Sequence, residues 1–370
     1  MFKKACGFQA LQNDAAPVEM DSIFSVMSCT KLITTIAALQ CVESGLIFLD
    51  DSVEIILPEL SGRNIITLKG DMQQNSSSFE LTPARNKITL RHLLTHTSGI
   101  GYSLWHPTLL AWHKSRGVDC NNRLAIVDDL EEPLLFEPGE GWAYGASHDW
   151  VGTLISRLND NVTLEDYCSS HIFMPLNLHS ITFDLQKKHH APGKKVSTAH
   201  RTSSGWSEFT IPTPAWPFGH SGGAGLHSSV ADYIRVLGDL LREPSSLLSK
   251  ASIDEMFKPQ LSRPGPQIDD LYRSERFFSN LAGGSVQGLR LNFGLGSLIF
   301  EDDVKCTGMP AGTMGFVGLP NILWAVNRER GLATMYASQV MPPGDRRSTK
   351  LASAFQAAIW QLDLEMNNEP

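Results

Sequence analysis

After Thr30-Lys31 the apolar residues Leu32, Ile36, Leu39 and Leu46, with Ile33 and Val42 beside them, recur at helical spacing, and Gly45 is a natural stop. Residues 88–99 open on a helix-start signal at Thr89 and end in a glycine turn, and helical patterns follow around 104–117 and from Ser147 within 136–160. Residues 163–178 open with Thr163 and Asp166 three on, and end at Pro175; residues 228–243 open with Ser229 and Asp232 in the same relation. Further helical patterns cover 247–259 and 348–363. β-Branched and aromatic runs predict strands in 292–300, 321–331 and 332–340, with Asn-Arg-Glu-Arg-Gly as the turn between the last two, and a short strand is expected over 3–12. Residues 49–60 read as a loop and short helix broken by Pro58, 61–87 as an irregular polar excursion, and 184–217 as a long loop with room for one hairpin. Strands at both ends with helices between predict an α+β chain: one antiparallel sheet built from both termini, with an inserted helical region.

With 370 residues the chain can bury a substantial core, and its 42% hydrophobic and 19% charged content is that of an ordinary globular protein. A net charge of −8 without a long basic run argues against nucleic acid as a partner. No run reaches the length of a membrane span and no apolar signal segment opens the chain, so a cytoplasmic protein without a membrane partner is expected. The six cysteines are scattered with no C-x-x-C pair, which fits free thiols in a reducing compartment.

The candidate chemistry is at Ser28-Cys29-Thr30-Lys31. Lys31 falls one turn beyond Ser28 on the same helix face, where its amine is expected to meet the serine hydroxyl. A helix N-terminus also offers free N–H groups and a positive dipole end to a developing negative charge. S-x-x-K is weak by itself, but a lysine embedded in an apolar helix is out of place unless it is used. His92 and His96 have the four-residue spacing of zinc ligands, yet Leu93 stands where H-E-x-x-H needs glutamate and no third ligand is evident, so no metal is expected.

Five segments then agree in order: SCTK (28–31), HLLTHTSG (92–99), PGEGWAYGAS (138–147), GGAGLHSS (222–229) and GFVGLPNILW (315–324). Together they resemble the serine β-lactamase-related family, which includes class C β-lactamases, esterases and the fungal lovastatin-type transesterases, the branch most like this chain. The resemblance runs from about residue 4 to the C-terminus. It implies a β-lactamase/transpeptidase-like α+β fold, with an antiparallel sheet flanked by helices (residues 1–60 and 290–370), a mostly helical domain (61–289) and the active site in the crevice between.

The resemblance also implies roles. Ser28 matches the nucleophile that forms an acyl-enzyme. Lys31 matches the partner lysine, either a neutral base or a cation that orients the hydroxyl and holds a neighbouring phenolate. Tyr144 matches the tyrosine that moves the proton. Ala146 replaces the asparagine that contacts amide substrates in β-lactamases. Anchoring on Leu319-Pro320-Asn321 places the third motif at Phe316-Val317-Gly318, where no lysine or histidine is present to hold a β-lactam carboxylate, and Val317 would narrow the site. Backbone N–H groups of Ser28 and Leu319 would form the oxyanion hole. Phe316, Gly318 and Trp142 are candidate substrate contacts, and Trp105, Trp206 and Trp216 could line an apolar pocket.

The implied activity is acyl transfer in secondary metabolism, from an ester or thioester, including one on an acyl carrier protein domain, to an alcohol, without a cofactor. Hydrolysis by the same centre and a non-catalytic binding relative are the alternatives. Relatives begin with a helix and strand that Met1 leaves no room for, about forty residues, so low stability or solubility is expected from an uncovered sheet face.

Overall fold

The computed structural model describes residues 2–69, 78–103, 105–118, 132–186, 194–211 and 216–368. Strand β1 (Ile23–Ser25) leads through a single 3₁₀ turn, Met27–Cys29, into helix α1 (Thr30–Glu43). Nearly all of α1 is buried, Lys31 included, which explains why its apolar positions run round the helix rather than along one stripe. The helix stops as predicted: Gly45 takes φ +72°, and the N–H groups of Gly45 and Leu46 return to the carbonyls of Val42 and Cys41.

Two 3₁₀ turns at 53–55 and 58–60 precede a hairpin of β2 (Asn64–Lys69) and β3 (Ser78–Pro83). This hairpin corrects the irregular reading of 61–87. Its strands are mostly exposed, so the two-residue alternation that marks a half-buried strand is weak. The tip of that stretch, like the middle of 184–217 and the polar stretch after residue 118, lies outside the described residues.

Helix α2 (Leu90–Thr95) starts in a capping box: the Thr89 hydroxyl accepts from the His92 N–H, and His92 Nδ1 accepts from the Thr89 N–H. After α3 (Pro107–Ser115) come α4 (Ser147–Leu158) and α5 (Leu164–Cys168), the latter capped by Thr163. β4 (Ile181–Thr182), the hairpin of β5 (Thr198–Thr202) and β6 (Gly205–Phe209), and β7 (His227–Ser229) lead to α6 (Val230–Asp239), capped by Ser229. Helices α7 (Lys250–Met256), α8 (Pro266–Arg273) and α9 (Ser279–Ala282) follow.

The principal sheet comes from one continuous stretch: β8 (Leu291–Phe293), β9 (Leu298–Phe300), β10 (Thr313–Gly318), β11 (Ile322–Asn327) and β12 (Leu332–Tyr336), antiparallel, in the order β12-β11-β10-β9-β8. The expected turn joins β11 to β12, with Gly331 at φ +62° and the Arg330 N–H bound to Asn327 Oδ1. β13 (Val340–Met341) pairs with β5, and α10 (Arg346–Asn368) closes the chain, packing Phe355 near Tyr336 and burying Trp360.

The sheet is therefore not built from both termini. β1 joins β7 and β4 in a separate three-stranded sheet, in register Ile23 opposite Ser229 and Ser25 opposite His227. The strand predicted over 3–12 does not form. Gln9 and Val18 bond locally to Ala16 and Gly7, the Gln9 carbonyl takes one longer-range bond from the Ser197 N–H, and the surrounding side chains are mostly exposed, so little rewards an extended ladder there. One apolar core runs unbroken from α1 through α4, α6 and the principal sheet.

Candidate active site

The turn that carries Ser28 is held from several sides. Met27 takes φ +47°, a left-handed conformation that costs a non-glycine residue about 1–2 kcal/mol. Thr30 Oγ1 donates to the Met27 carbonyl at 2.5 Å and accepts the Leu226 N–H at 3.0 Å, while Tyr233 Oη donates to the Cys29 carbonyl at 2.7 Å. β10 closes on the turn from the sheet side. A Cβ on Gly318 would stand 2.5 Å from the Val26 carbonyl oxygen, so only glycine lets the strand end approach.

Tyr144 lies in the loop before α4, and its Oη donates to Ser28 Oγ at 2.7 Å. Lys31 is fully buried, and its amine donates to the Gly223 carbonyl at 2.9 Å and to Tyr102 Oη at 3.3 Å. The expected lysine–serine contact is thus replaced. Ser28 sits in the 3₁₀ turn ahead of α1, the phenol of Tyr144 fills the space beside its hydroxyl, and the amine turns toward the Gly-Gly loop. That loop threads between α1 and α4, where a Cβ on Gly223 would meet the Asp149 carboxylate at 2.5 Å. The GGAG segment is therefore glycine-rich for close approach.

Beneath these groups is a buried polar cluster. Asp149 Oδ1 accepts from Ser221 Oγ at 2.5 Å and from the Gly223 N–H at 3.1 Å. Burial lowers Lys31 to about 8, against the opposing pull of Asp149 and then Cys29. Burial raises the Asp149 carboxyl, with Lys31, Ser221 and Gly223 acting against it. Burial also pushes the phenols of Tyr144 and Tyr102 well up, so both are neutral at rest. His96 and His148 are held well below their usual value by burial, with His148 and then Lys31 adding to the effect on His96 and Lys31 to that on His148, so both stay neutral.

A small cleft, with about 80 Å³ open to the centres of water molecules, lies above Ser28. Phe316, Val317, Gly318 and Leu319 line it with Ser28 and Tyr144, as does Trp105, whose ring stacks on Tyr144 at 5.9 Å and 6°. Trp142 is corrected. It is 2% exposed, packs between His96, Phe278 and Phe293 under Tyr144, and is not among the described residues lining the cleft. Trp206 lies exposed on β6 and Trp216 is buried against Trp150, both away from the cleft. Tyr102, Asp149 and Arg276 were not singled out from sequence. Asp149 did leave a signal, as the one carboxylate in a helix whose first nine residues are all buried. His92 serves the α2 cap, and among the described residues no group of three or more His, Cys, Asp or Glu could hold a metal.

A five-stranded antiparallel sheet with a serine turn against its third strand, and helices closing the other side, defines the β-lactamase/transpeptidase-like fold. The family pattern of the β-lactamases matches residues 1–358, and the chain belongs to that family. It is 35% identical over 367 residues to "Acyltransferase calJ" of Penicillium decumbens, covering 97% of this chain and 86% of that one. It is 33% identical over 355 residues to the monacolin J acid methylbutanoyltransferase of Aspergillus terreus, covering 94% and 84%. Among solved structures, the LovD9 mutant of simvastatin synthase (LovD) from Aspergillus terreus superposes with a TM-score of 0.85 at 31% identity, covering 98% of this chain and 91% of that one. No helix among the described residues is long and apolar enough to cross a membrane.

Proposed function

We propose that this protein is a serine acyltransferase that moves an acyl group from an ester or thioester to an alcohol. The observation that carries the reading is the 2.7 Å bond between Tyr144 and Ser28 at the floor of a largely apolar cleft. Ser28 Oγ attacks the donor carbonyl while its proton passes to Tyr144, which hands its own toward Lys31. The N–H groups of Ser28 and Leu319 receive the oxyanion. The leaving thiol or alcohol departs with the returned proton. The acceptor hydroxyl then attacks the acyl-Ser28 ester by the same steps in reverse, releasing the new ester and free Ser28. A carrier-protein thioester is one form of the donor.

The relatives named as transferases of small-molecule acids support this reading, and the apolar lining of the cleft favours an organic acceptor over water. A "Lovastatin esterase" of Penicillium rubens, 30% identical over 361 residues, shows why hydrolysis stays the second reading. The test incubates the protein with p-nitrophenyl esters, weighs the Ser28 peptide for an acyl adduct, and then compares ester formation with hydrolysis as alcohols are added. A folded sample with neither adduct nor turnover would end the proposal; turnover indifferent to every alcohol would leave the esterase.

A further inference from the structure

His96 is fully buried behind the reacting groups and stands outside the proton path from Ser28 through Tyr144 to Lys31. It ends α2 in the left-handed region at φ +59°, which histidine and asparagine enter more readily than bulkier residues. The turn directs the following carbonyls at the loop that carries Tyr144. The His96 carbonyl accepts the Ala143 N–H at 3.0 Å, and the Thr97 carbonyl accepts the Gly139 N–H at 2.8 Å. Beyond them the Tyr144 carbonyl accepts the Tyr102 N–H at 3.3 Å, and a Cβ on Gly145 would stand 2.0 Å from the Ile100 carbonyl oxygen. Residues 96–102 and 139–145 are thus fixed to each other on both sides of Tyr144.

The His96 ring fills the corner that this junction leaves. Its centroid lies 5.0 Å from that of Tyr144, 4.9 Å from His148, 5.6 Å from Phe293 and 5.9 Å from Trp142. From the cleft, Trp105 and Phe277 pack on Tyr144 at 5.9 and 5.1 Å; both line the cleft and are only partly buried. The phenol is therefore layered between a wall that meets the ligand and a support that does not. Burial keeps the His96 ring neutral, so no ion pair holds it, and neither of its nitrogens has a hydrogen-bond partner among the described residues. What the ring supplies at this place is shape.

We propose that His96 is a positioning residue for the acylation step: its ring supports the Tyr144 phenol from beneath and keeps Oη against Ser28 Oγ, without itself touching substrate. This rests on the reading of Tyr144 as the group that receives the Ser28 proton. A displacement of about 1 Å in such a contact costs about 10²-fold in rate.

The test uses His96→Asn and His96→Gly, which accept the left-handed turn and remove the ring. Each is made alone and together with Tyr144→Phe, in full-length protein whose melting curve shows it folded at the assay temperature. The expected result for each single variant is a fall of about 10–100-fold in kcat for p-nitrophenyl ester turnover, with KM changed less than about threefold. On Tyr144→Phe the same substitution is expected to change turnover by less than about threefold, because the hydroxyl it would have misplaced is gone. Damage to the fold at large would lower turnover alike in both backgrounds. The proposal is overturned if a folded single variant keeps kcat within about threefold of the wild type, or if the loss on Tyr144→Phe is as large as on the wild type; neither result touches the acyltransferase reading. A loss below tenfold in Tyr144→Phe itself removes the role of the phenol, and the support with it. Absence of ester turnover in folded wild-type protein removes the acyltransferase reading itself.

Discussion

The Lys31 amine lies 4.7 Å from the centroid of the Tyr144 ring and is bonded to the Gly-Gly loop and Tyr102, not to Ser28. The phenol is the group in contact with the serine, and the amine sits behind it. A proton leaving Ser28 therefore meets Tyr144 first. Because burial pushes that phenol up, a resting phenolate is not available.

Tyr144→Phe removes the relay and keeps the ring that packs on Trp105, Phe277 and Phe316. Turnover of p-nitrophenyl esters is expected to fall by about 10²–10⁴-fold with the melting temperature little changed. A loss below tenfold would show that Ser28 gives its proton elsewhere.

The pH profile follows from Lys31 at about 8. If the neutral amine takes the proton, kcat/KM rises with pH and levels off above about 8. Asp149→Asn keeps an acceptor for Ser221 and Gly223 but removes the charge that favours the ammonium, so the inflection moves to lower pH. A profile that falls through this range, or an inflection indifferent to Asp149→Asn, would contradict the assignment.

The same depression has a stability consequence. Lys31 ionises at 10.5 when unfolded and at about 8 when folded, so between these values the unfolded chain binds more protons. The cost of burying the ammonium is fully present below pH 8 and is relieved as pH rises toward 10.5, by roughly 3 kcal/mol in all. The raised groups Cys29, Tyr102, Tyr144 and Tyr233 act in the opposite sense at high pH. Chemical denaturation of wild type and Lys31→Met at pH 7 and pH 9.5 compares the chain with and without the lysine and its pull on Cys29 and Asp149. The wild type should gain on the variant as pH rises.

Gly318→Ala places a methyl group 2.5 Å from the Val26 carbonyl oxygen, a backbone atom that cannot swing away as a side chain could. Overpacking of this kind costs about 1–3 kcal/mol. Because it pushes β10 from the serine turn, acyl-enzyme formation is expected to slow more than stability accounts for. Mass-detected acylation under conditions where the variant is fully folded reads this directly.

Much of the local structure was legible in the chain. The starts at Thr89, Thr163 and Ser229, the stop at Gly45 and the turn before Gly331 are set by residues within a few positions of one another, and they form where their side chains require. Ser28 and Lys31 could be named from S-x-x-K in an apolar helix, and Tyr144 only from the resemblance of the ordered segments to the β-lactamase-related family. Which of them touch is another matter. The Tyr144–Ser28 bond joins positions 116 apart, and the lysine's bond to Gly223 spans 192. Only the packing of α1 against α4, with a glycine loop between them, chose Tyr144 over Lys31 as the neighbour of Ser28 and brought Asp149 beneath both. Trp142 and Trp105 look alike in one dimension, yet one is floor and the other is wall, because burial depends on the whole fold. The same holds for the sheet: its strands carry their own pattern, but whether residues 3–12 join it depends on a partner edge and a buried face, which local pattern does not encode.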